Sequence, residues 1–523
     1  MKRAGVVGIA LRSGHFFAIL YSIENLNEFK EIFMYDWNDF IAVLGDRLDV
    51  EIENENIPQI EKSISELIEL VESSDIPDPV KCVFLYFIFN LQQTKANIGP
   101  FEEKHTNYNA AIIAFKRLRG YPQSDCQYVI DKASTNAAIL LGNKFGRVYE
   151  AIALWSKCLE SDKESGIVAN HALATSLIET SFLFESDELI YFYQLYAFKC
   201  ISRLLSYSNL QKDNPEIYKS VQQDSSHFLR KFYDHAKNNI DKNENLQNYS
   251  ASRKMKKSEE KYRKWSAENV LFLNPLNDLS NSDYVFNDML SFPSYTVSLS
   301  VGPYLSAAFS AMCNEFCFYR FMYYESLNNL HPKYIDKEKL LINTLDSVCY
   351  DAACEKLKCA IRGCFSLLDK LIALLHNYMN LEGQPSFTPN WFKRTKLNQT
   401  DNKYISALYC LSKDFSPHEN KTDRPSFWNE PNLKEIREVR NHLEHGWVRV
   451  IEFEELSEPI WESTHDYAYT ITKESLLQKG LTVLQQTRNA IMYLQLAVSL
   501  NESTNKDDSK IIMPIETPIW HKI

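Results

Sequence analysis

Apolar residues recur at helical spacing through most of this 523-residue chain, while helix breakers are scarce, with only 14 glycines and 18 prolines. Long runs of Leu, Ile, Ala, Phe and Tyr with so few turn formers fold as helices joined by short connections, so the expected class is all-α. Ile57 to Glu72 shows the pattern clearly, with Ile60, Ile64, Leu67, Ile68 and Val71 at the spacing of one amphipathic face. A hydrophobic content of 45% over this length supports substantial cores and a division into two or more domains.

The formal net charge of −11 argues against a protein that coats nucleic acid non-specifically, because that affinity comes from many lysine and arginine contacts to phosphates. An RNA substrate needs a local basic patch. Two segments offer one: Arg253 to Lys257 with Lys261, Arg263 and Lys264, and Lys393 to Lys396 after Trp391 and Phe392. The first also fits a solvated linker face. The 11 cysteines are scattered through apolar helical runs without a C-x-x-C pair, which suits reduced, buried thiols and neither a disulfide frame nor a zinc site. Cys349, Cys354, Cys359 and Cys364 recur every five residues, so each turns about 140° around a helix from the last; they read as small core residues. The start resembles a signal peptide until Arg12 interrupts the apolar run, and no apolar stretch reaches the roughly 20 residues of a membrane span. The expected location is the cytoplasm, with no membrane partner, no cofactor and no metal.

Residues 1–80 form an N-terminal segment of unclear fold, in which the pieces from Gly5 to Leu11 and His15 to Tyr21 suit either a hairpin or two helical turns. Residues 81–245 read as successive helices. Within them Gly146 precedes Ala151, Trp155 and Cys158, whose small-large-small spacing resembles the second helix of a tetratricopeptide repeat, and Val168 to Ala174 follows as the first helix of a next unit. Such repeats stack into a solenoid with a concave binding surface. Residues 246–295 are a linker and junction that includes Leu273-Asn274-Pro275-Leu276-Asn277-Asp278. Residues 296–500 hold four long helical patterns, about 303–327, 347–381, 402–415 with 432–446, and 472–500, a four-helix-bundle layout. Trp447 to Phe453 alternates as a short extended piece, and residues 501–523 are a polar, flexible tail.

The third pattern ends in Arg440-Asn441-His442-Leu443-Glu444-His445-Gly446. On a helix turning about 100° per residue, Asn441 and His445 stack one turn apart, and Glu444 sits one turn above Arg440. Gly446 reads as the stop. A histidine near the terminal carbonyls is favoured in its protonated form and becomes a candidate proton-transfer group. Asn441 is placed to orient its ring, and the guanidinium of Arg440 matches phosphate oxygens. Histidine plus arginine suggests phosphodiester cleavage, although a solvated helix end with a capping histidine has the same spacing.

A four-helix unit whose third helix ends in R-N-x-x-x-H resembles the HEPN domain. The likeness extends to Arg320-Phe321-Met322-Tyr323-Tyr324-Glu325 on the first helix, to Phe365 to Lys370 and His376-Asn377-Tyr378 on the second, and to the upstream Leu-Asn-Pro-Leu-Asn-Asp run. With the helical repeats it looks like the bacterial subfamily that places a C-terminal HEPN domain after tetratricopeptide-like repeats. The resemblance implies a metal-independent endoribonuclease, often of defence or toxin systems, acting as a homodimer with the motif helices facing across a composite cleft. It implies His445 as general base or acid for attack by a ribose 2′-hydroxyl, Arg440 as stabiliser of the phosphorane and Asn441 as the residue holding His445. Glu444 is expected to pair with Arg440 or with a basic group across the dimer. Asp369, Arg320 and Glu325 are supporting candidates for the cleft wall, with a buried salt bridge as the ordinary alternative.

Three functions fit the sequence. One is an RNase whose repeats sense a protein trigger or bind an inhibitor. Another is a non-catalytic scaffold that binds proteins or nucleotides. The third makes the HEPN part the substrate of a separate nucleotidyltransferase.

Overall fold

Short polar side chains open five of the described helices. Asn56, Ser186, Asp351, Thr388 and Asn402 each accept a hydrogen bond from a backbone N–H in the turn that follows, which satisfies donors that have no partner within the helix. The computed structural model describes residues 37–99, 101–160, 164–207, 210–213, 215–224, 255–295, 303–328, 330, 333–337, 340–341, 348–415, 431–452 and 468–504. Seventeen α-helices and one pair of five-residue strands lie among them, so the chain is all-α as its periodicity predicts. The expectations for Gly5 to Tyr21, for Arg253 and Lys254, and for residues 505–523 fall outside the described residues.

The described residues divide into two compact units between Leu140 and Leu141, inside the span that the sequence suggests is one repeat array. The first unit holds α1 (Trp37–Glu53), α2 (Ile57–Glu72), α3 (Asp78–Ile98), α4 (Phe101–Arg119) and most of α5 (Gln123–Asn143). In α2 Ile60, Ile64, Leu67 and Val71 are buried, but Ile68 is 40% exposed because it stands about 80° around the helix from Ile60.

The second unit continues with α6 (Val148–Cys158), α7 (Glu164–Ser181), α8 (Asp187–Ser206), α9 (Leu210–Asp213), α10 (Pro215–Asp224) and α11 (Lys257–Glu268). Its bundle is built from α12 (Tyr304–Leu327), α13 (Ala352–Tyr378), α14 (Pro389–Arg394), α15 (Lys403–Asp414), α16 (Pro431–His445) and α17 (Lys473–Thr504), with β1 (Trp447–Ile451) and β2 (Ala468–Thr472) between the last two. The segment read as linker is therefore part of this unit. Its α11 docks on α12 because Trp265 stacks on Tyr323 at 5.8 Å and Tyr262 meets Phe321 edge-on at 5.2 Å. The extended piece at Trp447 is real, and its partner β2 runs parallel to it in the register Trp447↔Ala468 to Ile451↔Thr472. The polar run from Asn501 begins as the last turn of α17, anchored where the Asn501 amide donates to the Tyr378 hydroxyl at 2.8 Å.

The glycine of the repeat-like segment has a tertiary role. Gly146 adopts φ +66°, and a Cβ on it would stand 1.8 Å from the Lys403 carbonyl oxygen, so only glycine lets this turn meet the start of α15. Arg147, next in the chain, is buried and donates to Asp414 at 2.7 Å and to Glu150, while Tyr493 on α17 donates to Glu150 at 2.9 Å.

Every residue of α17 from Gln486 to Val498 is buried, including Arg488. A buried guanidinium must fill its five donors. Arg488 fills four of them on one irregular segment, with two bonds to Asp278 at 2.9 and 2.6 Å, one to Phe272 O at 2.8 Å and one to Asn274 O at 3.0 Å, and the fifth on Asn489 Oδ1 at 3.1 Å. Arg320 of α12 grips the same segment from another direction, with Leu271 O at 2.9 Å and Asp288 at 2.7 and 2.8 Å. The asparagines of this run serve its backbone. Asn274 Oδ1 accepts from Leu276 N at 3.0 Å, and Asn277 accepts from Phe272 N at 3.1 Å while donating to Ala267 O at 3.0 Å. Burial alone would raise the Asp288 carboxyl, but Arg320 and the Leu273 N–H outweigh it and hold it below the usual carboxylate range. Its contribution to stability is thus present above the usual value of 3.8 and is lost as the pH falls through the depressed one.

Replacing Arg488 by Ala strands Asp278 in the core and is expected to cost about 3–5 kcal/mol in urea unfolding. Lys370→Ala, which breaks the exposed pair with Glu315 at 2.6 Å, should cost less than about 1 kcal/mol.

Candidate functional site

The site is built where α16 lies on α13. Helix α13 approaches α12 closely because Gly363 has no side chain: a Cβ there would meet the Tyr319 ring at 2.3 Å. Across the rest of that contact Lys370 reaches Glu315 at 2.6 Å, and Lys356 reaches Glu325 at 2.8 Å. The opposite side of α13 presents Arg362, Phe365 and Asp369, spaced three and four residues apart, along one face.

Placing Arg440 at 0° on α16 puts Glu444 at about 40°, Asn441 at about 100°, His445 at about 140°, His442 at about 200°, Val439 at about 260° and Ile436 at about 320°. The packing follows this wheel. Ile436 and Val439 are buried at 1% exposure each. Arg440 donates to Asp369 at 3.2 Å and lies over the Phe365 ring at 5.2 Å, while Arg362 donates to Glu444 at 3.1 Å. On another side His442 stacks on Tyr469 of β2, with ring centroids 5.4 Å apart. Its Nδ1 lies 2.8 Å from Glu438 O, so that nitrogen carries the proton. The row left over is Asn441 and His445, which points away from the core.

His445 is exposed and Asn441 half-buried, and neither has a hydrogen-bond partner among the described residues. Asn441 therefore does not hold His445 in this structure, contrary to the role expected for it. Helix α16 ends at His445, and Gly446 N donates to His442 O at 3.1 Å. The glycine stops the helix without a left-handed turn. A Cβ there would lie 3.2 Å from His442 Cδ2, so its small size lets the chain pass directly into β1, whose first residue Trp447 is 71% exposed beside His445.

Of the seven residues singled out in the sequence, Arg440, Asn441, Glu444, His445 and Asp369 come together here. Within this chain the partner of Glu444 is Arg362, and Asp369 is the carboxylate on Arg440. The other Asp369 oxygen accepts from Phe387 N at 3.2 Å, which fixes the carboxylate. Arg320 belongs to the buried grip on the 271–288 segment, and Glu325 to the Lys356 pair, so neither lies at this site. Arg362 and Phe365 were not chosen from the sequence as site residues, although their spacing from Asp369 on one helix face marks them. Of the regularly spaced cysteines, Cys354 and Cys364 are buried, Cys349 precedes α13, and Cys359 is exposed. No group of three or more metal-ligating side chains occurs among the described residues, and none of their helices is long and apolar enough to cross a membrane.

Residues 296–501 match the family model described as LA2681-like HEPN. This C-terminal part of the chain is a HEPN domain, and the helices before it lie outside the match. No curated protein and no solved structure gives a match.

A double-mutant cycle on Arg440 and Asp369, both part-exposed, should return a coupling below about 1 kcal/mol. The same cycle on Arg320 and Asp288 should return about 1.5–3 kcal/mol. Equal couplings would remove the distinction between a site arginine and a structural one.

Proposed function

We propose that the HEPN domain of this chain is an endoribonuclease in which His445 moves the proton and Arg440 carries the phosphate. The observation that supports this most directly is His445 itself: exposed, without a hydrogen-bond partner among the described residues, and on the same terminal turns as an arginine held in place from behind. A structural histidine is ordinarily engaged, as His442 is with Tyr469 and Glu438. His445 takes the proton of a ribose 2′-hydroxyl; the 2′-oxygen attacks the adjacent phosphorus and the bond to the 5′-oxygen breaks. The products are a 2′,3′-cyclic phosphate and a 5′-hydroxyl end. Arg440 exchanges part of its contact with Asp369 for the phosphorane oxygens, and its stacking on Phe365 keeps the guanidinium plane in place.

One protomer offers one such histidine row. A homodimer that brings two rows together supplies a base for the 2′-hydroxyl and an acid for the leaving oxygen, with Asn441 able to reach across. The preceding helices are the part available to bind a protein trigger or inhibitor, as suits an RNA-cutting defence or toxin effector in the cytoplasm.

Purified protein is expected to cleave an RNA oligonucleotide in the presence of EDTA and to leave cyclic phosphate ends. His445→Ala should lower the rate by about 100-fold or more, at the low end of what a positioned acid or base contributes, with an unchanged melting temperature. A 2′-deoxy substitution at the cut should block the reaction. Wild-type activity in His445→Ala would sink the assignment.

A further inference from the structure

The first unit contains a pair of thiols to which the ribonuclease reading gives no part. Cys82 on α3 and Cys126 on α5 are both buried, and their Sγ atoms are 2.6 Å apart across 44 residues of sequence. Two thiols set against one another in this way need only a small approach to reach the about 2.05 Å of a covalent S–S bond. The helices that carry them are held in place independently. Further along each helix, the Asn136 amide donates to Asn90 Oδ1 at 3.4 Å, so α3 and α5 run side by side in the same direction and the cysteines face one another at one end.

The geometry points to Cys82 and Cys126 as a reversible disulfide, a redox modification site that staples α5 to α3, with a peroxide as the oxidant. Cys126 is the fourth residue of α5 and reaches solvent when the end of that helix frays. Cys82, the fifth residue of α3 and without solvent exposure, is held as the protonated thiol by burial and by its Cys126 neighbour. The first step therefore belongs to Cys126. Its sulfur attacks one oxygen of hydrogen peroxide, the O–O bond breaks, and a sulfenic acid and water result. Cys82 sulfur then attacks the sulfenic sulfur, the S–S bond forms, the S–O bond breaks, and a second water leaves with the Cys82 proton. Two thiols lose two electrons in all, and one peroxide is reduced to two waters.

The test uses the full chain, reduced and then treated with hydrogen peroxide, alkylated and digested without reductant. Mass spectrometry should find the peptides of Cys82 and Cys126 joined and two hydrogen masses light, dithiothreitol should separate them, and Cys82→Ser should abolish the joined species. The oxidised wild type should melt about 4 °C or more above the reduced one, since the bond closes a long loop. Exposed Cys359 reports that oxidant was sufficient. Recovery of Cys82 and Cys126 as separate alkylated thiols from protein in which Cys359 is oxidised would overturn the proposal. This readout needs only the wild-type chain, so a variant that fails to fold does not obscure it.

Discussion

Two buried arginines that close on one irregular segment hold the second unit in order. A guanidinium in the core is tolerated only when its donors meet acceptors of matching geometry. Arg320 and Arg488 meet this demand on carbonyls and carboxylates between Leu271 and Asp288. Carbonyls that would be unpaired in an irregular stretch become their partners, so each side of the arrangement removes the other's desolvation cost. Because Arg320 sits on α12 and Arg488 on α17, the same segment fixes two helices of the bundle. Helix α13 packs against both, and α16 rests on α13. The position of His445 thus depends, three contacts away, on Leu-Asn-Pro-Leu-Asn-Asp.

Much of this could be read from the residues. The four long periodic patterns correspond to α12, α13, α15 with α16, and α17, because each carries an apolar stripe that has only one period to satisfy. The cluster of Arg440, Asn441, Glu444 and His445 was legible for the same reason: four residues on two turns of a helix have fixed relative directions before any tertiary contact forms. Asp369 entered only through the likeness of the second helix to the HEPN domain. Phe365 stands in the same run, and its contact with Arg440 is the kind a face-by-face comparison of two helices recovers.

What stayed hidden lies in pairings between distant elements. No local rule says that Arg320 chooses Asp288 over Glu325, or that Arg362 and not Arg440 takes Glu444; these follow from which helix faces meet and at what distance. The strand β2 carries no clear signal of its own, because five residues directly before a long helix are a short run and its pairing with β1 is a tertiary contact. The repeat-like spacing around Gly146 does not announce that its left-handed backbone is required by Lys403, more than two hundred residues on. Tail and linker compositions also misled: Asn501 is anchored by one tyrosine hydroxyl, and α11 by two aromatic rings, against a polar background that alone suggests solvent.

Charge at the site alternates as Arg362, Glu444, Arg440 and Asp369 along the seam between α13 and α16. This has a consequence for any phosphate that enters. A seam of bare arginines would bind anions wherever they occur, whereas here each cation already has a carboxylate, and a phosphate gains only the difference between the two partners. Asp369 is itself anchored by Phe387 N and does not move away freely, so it holds Arg440 in one direction while leaving its outer donors open. Under the proposed ribonuclease reading, productive contact would depend on a phosphate presented beside the histidine row by a longer chain or by a second protomer. The acidic balance of the whole chain acts in the same sense, since it supplies no general attraction to nucleic acid. The geometry of the helix end that carries the histidine row is set from the core outward by the two arginines.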